Sequence, residues 1–104
     1  MFDPALVARA LTALGHEARL SIFRLLVRAG CDGLTVGAIA QHVGLPPSTL
    51  AHHLRKLTEA GLVLQEGHGR TTVNRADFAV LKGALAYLTA ECCRGVSLVR
   101  EDAT

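Results

Sequence analysis

Cysteine is scarce and odd in number, with three among 104 residues. That argues against a disulfide framework and fits a reducing, cytoplasmic compartment. No apolar run approaches the ~18 residues that would span a bilayer. The opening Met1-Phe2-Asp3-Pro4 puts no basic region ahead of an apolar stretch, so no secretory signal is expected. Internal repeats, low-complexity stretches and linkers are missing too. Charge is sparse: 19% of residues are charged and 50% apolar, far from the balance of disordered chains. No Ser/His/Asp set, phosphate loop or carboxylate pair can be placed in a pocket, so no enzyme is expected. What remains is one small helical module. A chain of this size buries only ~60–70% of its unfolded surface, so a partner subunit would help its core.

Helix signals fill most of the chain. Asp3 can cap a first helix that Pro4 opens, and Leu6, Val7, Ala10, Leu11 and Leu14 recur at helical spacing. Gly15 is expected to end it in the left-handed conformation. Arg9 is its only charge, so this helix is apolar round most of its circumference and needs burial on more than one side. A subunit interface is the expected cover. A second helix spans Glu17 to Ala29, with Leu20, Phe23, Leu26 and Val27 inward and Arg19, Arg24 and Arg28 outward. Leu34-Thr35-Val36 reads as a short extended piece, and Thr35 can cap a third helix, Val36 to Val43. A fourth runs from Pro47 or Ser48 to Gly61. Two β-prone segments then flank Gly67-His68-Gly69 and read as a hairpin. Asp77 opens a last helix expected to carry Phe78, Leu81, Leu85, Leu88 and Cys92 on one stripe. Residues 1–95 make the domain, and 96–104 a flexible tail. Two short helices joined by a tight glycine turn, then a hairpin, describe a winged helix-turn-helix, mainly α with a small β-hairpin wing.

The fourth helix is two-faced. Leu50, Leu54 and Leu57 share a narrow core stripe, while Ser48, Thr49, His52, Arg55, Lys56 and Glu59 lie on the far side. A major groove accepts short hydroxyls, hydrogen-bonding rings and long cations on the exposed face of a helix. Ser48, Thr49 and His52 suit base edges; Arg55 and Lys56 reach phosphates. A merely solvated face is the plain alternative. His53, beside the leucines, reads as a partly buried structural residue. At the hairpin tip His68 and Arg70 would project, and guanidinium groups favour a narrow minor groove. Over residues 46–75 four cations, Arg55, Lys56, Arg70 and Arg75, face Glu59 and Glu66, a local +2 that equals the net charge of the whole chain. A dimer would double the phosphate contacts on which affinity rests.

Leu14-Gly15-His16-Glu17-Ala18-Arg19-Leu20-Ser21-Ile22 resembles the opening signature of the ArsR/SmtB family of metal-sensing bacterial repressors. So does Ser48-Thr49-Leu50-Ala51-His52-His53-Leu54-Arg55-Lys56-Leu57, followed by Ala60-Gly61-Leu62-Val63 and the glycine-rich wing. The likeness covers about Leu6 to Leu88. It implies a homodimer built from the first and last helices, binding to a partly palindromic double-stranded operator, and release when an inducer binds. Pro46-Pro47 departs from the polar cap of many relatives; Pro47 suits the first helical position, so the cost is a capping hydrogen bond and not the helix.

The resemblance also directs the search for an inducer site. The family's third-helix cysteine motif has no counterpart, because Val36 to Val43 contains no Cys. Its zinc site needs His on the last helix, which here has none. Cys92-Cys93 is similar to the vicinal pair of the arsenic(III)-responsive subgroup, and soft thiolates select thiophilic ions. Arg94 is expected to lower the thiol pKa slightly. The subgroup's third cysteine is missing from Val96 to Arg100. Cys31 could supply a third thiolate, a non-protein thiol or water could do so, or the ligand is a monomethylated or other organoarsenical that needs only two sulfurs; antimony(III) would compete. No resident cofactor is expected. A thiol redox or persulfide role, inert packing of Cys92, a repressor with no ligand, and a winged-helix interaction module without DNA remain the alternatives.

Overall fold

The computed structural model describes residues 3–97. Five helices account for most of it: α1 (Pro4–Leu14), α2 (Glu17–Ala29), α3 (Val36–Val43), α4 (Pro47–Glu59) and α5 (Phe78–Thr89). Strands β1 (Leu34–Thr35), β2 (Val63–His68) and β3 (Thr71–Ala76) form one antiparallel sheet in the order β1-β3-β2. The winged helix-turn-helix is therefore present, with α3 and α4 as its helix pair and β2–β3 as its wing. The extended piece at Leu34-Thr35 is a third strand, paired through Leu34 opposite Asn74 and Thr35 opposite Val73.

Short polar side chains start the helices by satisfying first-turn amides. Asp3 Oδ1 accepts from the Ala5 N–H at 2.9 Å, Thr35 Oγ1 from Ala38 at 3.2 Å and Asp77 Oδ1 from Ala79 at 3.1 Å. α4 has no side-chain cap: Pro46 precedes it and Pro47 opens it. The core lies where α2, α3, α4 and the base of the wing meet, and holds Ile22, Phe23, Leu26, Ile39, Leu50, Leu54, Leu57, Leu62 and Val63. Asn74 is fully buried at the sheet's centre. Its amide donates to the Leu34 carbonyl at 3.2 Å and accepts from Gln65 Nε2 at 2.7 Å, so one side chain ties all three strands. Gly33 permits the close approach of β1: at φ +65° an added Cβ would lie 2.5 Å from the Asn74 carbonyl oxygen.

The structure corrects several expectations. Leu20 and Val27 are exposed, and Ile22 takes the inward place. At 100° per residue Ile22, Phe23 and Leu26 centre one stripe, and Leu20 and Val27 fall on the flank opposite Ile22. Gly15 follows α1 with φ −79°, outside the left-handed region; an added Cβ would instead stand 3.2 Å from the Leu11 carbonyl oxygen. The wing turns at Gly69-Arg70, with His68 opposite Thr71, so His68 ends a strand and Arg70 holds the tip. Gly69, at φ +63°, takes the turn position that favours glycine. Finally, α5 stops at Thr89, so Cys92 is not on its stripe. The Thr89 hydroxyl donates back to the Leu85 carbonyl at 3.0 Å, and Glu91 and Cys93 are left-handed, which no continuing helix permits.

α1 packs along α5. Of the α5 residues only Ala84 is buried; Phe78, Leu85, Tyr87 and Leu88 are exposed, Leu85 at 53% and Leu88 at 56%. Leu6 and Leu11 of α1 are exposed as well. No helix among the described residues is long and apolar enough to cross a membrane. The expected tail over 96–104 lies outside the described residues from Leu98 onward.

Candidate nucleic-acid interface and thiol pair

Leucines seat α4. Leu50, Leu54 and Leu57 are buried, and this fixes which way the opposite face points. Ser48, Thr49, His52, Arg55 and Lys56 are all exposed, on an arc of about 120° at 3.6 residues per turn. Short side chains occupy its N-terminal half and cations the following turns. None of Arg55, Lys56 and Arg70 takes part in an ion pair among the described residues. Their charge is free for an anionic partner. A shallow depression runs from Ala51, Arg55 and Glu59 of α4 to Gln65 of β2, so the helix and the wing share one surface.

Arg75 belongs elsewhere. Its Nη2 pairs with Glu66 Oε1 at 3.2 Å, and His68 Nε2 stands 3.8 Å from the same oxygen. The wing's local excess of positive charge therefore rests on Arg70 at the exposed tip.

Behind the polar face stands a group of rings. His53 is 7% exposed, its ring 4.8 Å from that of His16 and 5.8 Å from that of His52. Burial, and then the neighbouring His16, Arg19 and His52, push its pKa below the ordinary histidine value. Arg19 was expected to face outward; it is half-buried, and its Nε donates to the Ala13 carbonyl at 2.7 Å. The sequence marks His53 through its place beside the leucines. It carries no signal for Arg19, whose partners are a main-chain carbonyl and a ring 34 positions away.

The thiols sit beyond α5, in successive turns closed by Cys92 N–H to Thr89 O and Arg94 N–H to Glu91 O. Cys92 and Cys93 are free and exposed, with their Sγ atoms 3.2 Å apart. The hydrogen bond between the two thiols, and a lesser desolvation, raise the Cys92 pKa. The expected lowering by Arg94 is therefore not found at Cys92; that guanidinium lies 3.9 Å from Glu91 Oε1. Cys31 is exposed in the turn after α2 and lines a depression with Asp77, Phe78 and Ala79 at the start of α5. The twelve residues of α5 separate that end from the pair, roughly 18 Å at 1.5 Å per residue. The fold does not bring Cys31 to Cys92 and Cys93. Among the described residues no group of three His, Cys, Asp or Glu side chains is gathered to hold a metal ion.

Comparison with known proteins gives this geometry its context. Residues 14–66 match a family model described as a helix-turn-helix domain. The nodulation protein NolR of Rhizobium meliloti is 35% identical over 107 residues, covering 97% of this chain and 85% of the relative. A crystal structure of a possible transcriptional regulator for arsenical resistance is 32% identical, with a TM-score of 0.69, over 78% of this chain and 81% of the other. A solution structure from Mycobacterium bovis, a homodimeric winged helix-turn-helix DNA-binding domain of a possible ArsR-family regulator, is 26% identical with a TM-score of 0.67, over 89% and 87%.

The chain belongs to the ArsR family of winged helix-turn-helix transcriptional regulators. As an ArsR-family chain it is a regulator and not an enzyme. The matched segment runs from the end of α1 into β2. It takes in every α4 residue assigned to DNA, but neither Arg70 nor the cysteine pair.

Proposed function

We propose that this ArsR-family chain is a cytoplasmic, dimeric repressor that binds an operator through α4 and the wing and is released by a trivalent arsenical held at Cys92 and Cys93. The observation that carries the DNA reading is the exposed arc of Ser48, Thr49, His52, Arg55 and Lys56 on a helix whose other side is locked by leucines. Arg55 and Lys56 neutralise phosphates, Ser48, Thr49 and His52 meet base edges, and Arg70, with His68 behind it, enters the flanking groove. The exposed apolar faces of α1 and α5 form the dimer interface, in keeping with the homodimeric M. bovis relative.

The inducer half rests on the sulfur geometry. Two thiolates 2.3 Å from one tetrahedral ion stand about 3.8 Å apart. The narrower angles of pyramidal arsenic(III) bring them closer, toward the 3.2 Å seen here. With two sulfurs gathered and Cys31 at the far end of α5, a monomethyl arsenical fits better than arsenite or antimonite. Methylarsenite, CH3As(OH)2, exchanges both hydroxyls for the two cysteine sulfurs, and each displaced hydroxyl leaves as water with a thiol proton. Binding shifts the dimer toward a form with lower operator affinity.

A second reading keeps the repressor without an arsenical: the NolR relative is named for nodulation, with no metal in its name. A mobility-shift assay on the chain's own promoter DNA, under reducing conditions, separates the two. A retarded band that methylarsenite abolishes supports the first. A band untouched by methylarsenite, arsenite and antimonite leaves the second. No band overturns both.

A further inference from the structure

Three elements converge on one guanidinium. Arg19, in the first turns of α2, donates through Nε to the Ala13 carbonyl in the last turn of α1. Its Nη1 reaches His53 Nδ1 on α4 at 3.5 Å. Arginine only donates, so Nδ1 is the acceptor there and the ring proton sits on Nε2. His16 packs its ring on His53, while its own Nδ1 accepts from the Ala18 N–H and holds the start of α2. His52, next along α4, carries the exposed face offered to DNA.

We infer that Arg19 and His53 are a positioning pair that sets α4 against α1, and through α1 the separation of the two recognition helices in the dimer. The inference rests on the dimeric DNA-binding reading above; neither residue touches DNA in it. Two recognition helices must match half-sites a whole number of turns apart, so a small change of angle costs two-arm binding far more than one-arm binding. The planar fork of arginine reaches two acceptors in fixed directions, which a lysine ammonium cannot do. The link also needs an imidazole with a free Nδ1. A proton there would set a cation against Arg19. The groups around His53 are His16 and Arg19 on the α2 side and His52 on α4. Arg9 of α1 and Lys56 and Glu59 of α4 line the adjoining depression with Arg19, and Arg9 Nη2 reaches the Glu59 carbonyl at 3.5 Å. Glu59 is the one carboxylate among them, against three cations, so this setting does not favour charging the ring.

The test uses a duplex selected by the wild-type protein from a random DNA library, and the same duplex with one arm scrambled. Fluorescence anisotropy gives both affinities at pH 7.5 for wild type, Arg19→Lys and His53→Gln, and for the two substitutions combined. The expected result is that both variants lose about tenfold of the two-arm preference while one-arm binding stays within about twofold. Combining Arg19→Lys with His53→Gln loses no more than either substitution alone, because both break one link. The two substitutions lie on different helices, so either one decides the matter if the other variant fails to fold. Equal losses on both duplexes, or losses that add in the combined variant, overturn the inference. Failure of wild type to select any duplex overturns the DNA-binding reading itself, and the pair then has nothing to position.

Discussion

At Cys92 and Cys93 the proposed induction comes down to two sulfur atoms. Their separation of 3.2 Å and their exposure suit the proposed capture of one thiophilic atom. Native mass spectrometry after methylarsenite treatment should show one CH3As adduct per protomer, formed with loss of two waters. Cys92→Ser or Cys93→Ser should abolish it, and Cys31→Ser should leave it intact. His53 carries a different prediction. Its folded-state pKa lies below the ordinary 6.5, because burial and neighbouring cations disfavour the charged ring. The unfolded chain then binds the proton more readily. Stability is full above about pH 6.5 and falls as the pH drops below it. Urea midpoints at pH 7.5 and 5.5 should differ more for wild type than for His53→Gln. An equal shift in the two proteins would place the acid-labile group elsewhere. The burial of His53 is legible from its place beside Leu50, Leu54 and Leu57. The role of Arg19 is not, because a donor to a carbonyl and a distant ring leaves no periodic trace.

Among the elements, α4 is the clearest product of its sequence. Three buried leucines on one stripe leave no other way to turn, so the opposite arc is readable from residue order alone. Arg55→Ala and Lys56→Ala should each weaken DNA binding across all sequences. Each should also lower the slope of log affinity against log salt by about 1.8, the share of the two phosphates that the residue neutralises in a dimer, one per protomer. An unchanged slope would remove that residue from the phosphate set. The start of α5 is just as legible, through Asp77; its end is not. Helical spacing alone would carry the stripe on to Cys92. The structure stops it at Thr89, where a β-branched hydroxyl back-bonds to Leu85 and the following residues turn left-handed. Local hydrogen bonding decides that boundary, and periodicity does not report it. The wing is legible as a hairpin, but its tip falls later than the glycines suggest, because both Gly67 and Gly69 suit a turn and only register chooses between them.

For the whole molecule, the question is what covers α1 and α5. Half the chain is apolar, yet Leu85 and Leu88 stand more than half exposed in the single protomer. The almost uncharged first helix foretells this. The exposed stripe of α5 completes it, since burying two such side chains gains ~1.5–3 kcal/mol each. Sedimentation equilibrium should find a dimer for wild type and a monomer for Leu85→Glu/Leu88→Glu, with DNA binding weakened as the phosphate contacts are halved. A doubly substituted protein that remains dimeric would move the interface away from α5. The most direct measurement joins thiol, helix and dimer in one titration. The protein is bound to its own promoter duplex under reducing conditions, methylarsenite is added, and anisotropy follows the release of DNA for wild type and for Cys92→Ser/Cys93→Ser. Wild type is predicted to dissociate near one methylarsenite per protomer, whereas the double variant binds the duplex equally well but is not released. Release of both proteins alike, or of neither, would contradict a thiol-held inducer.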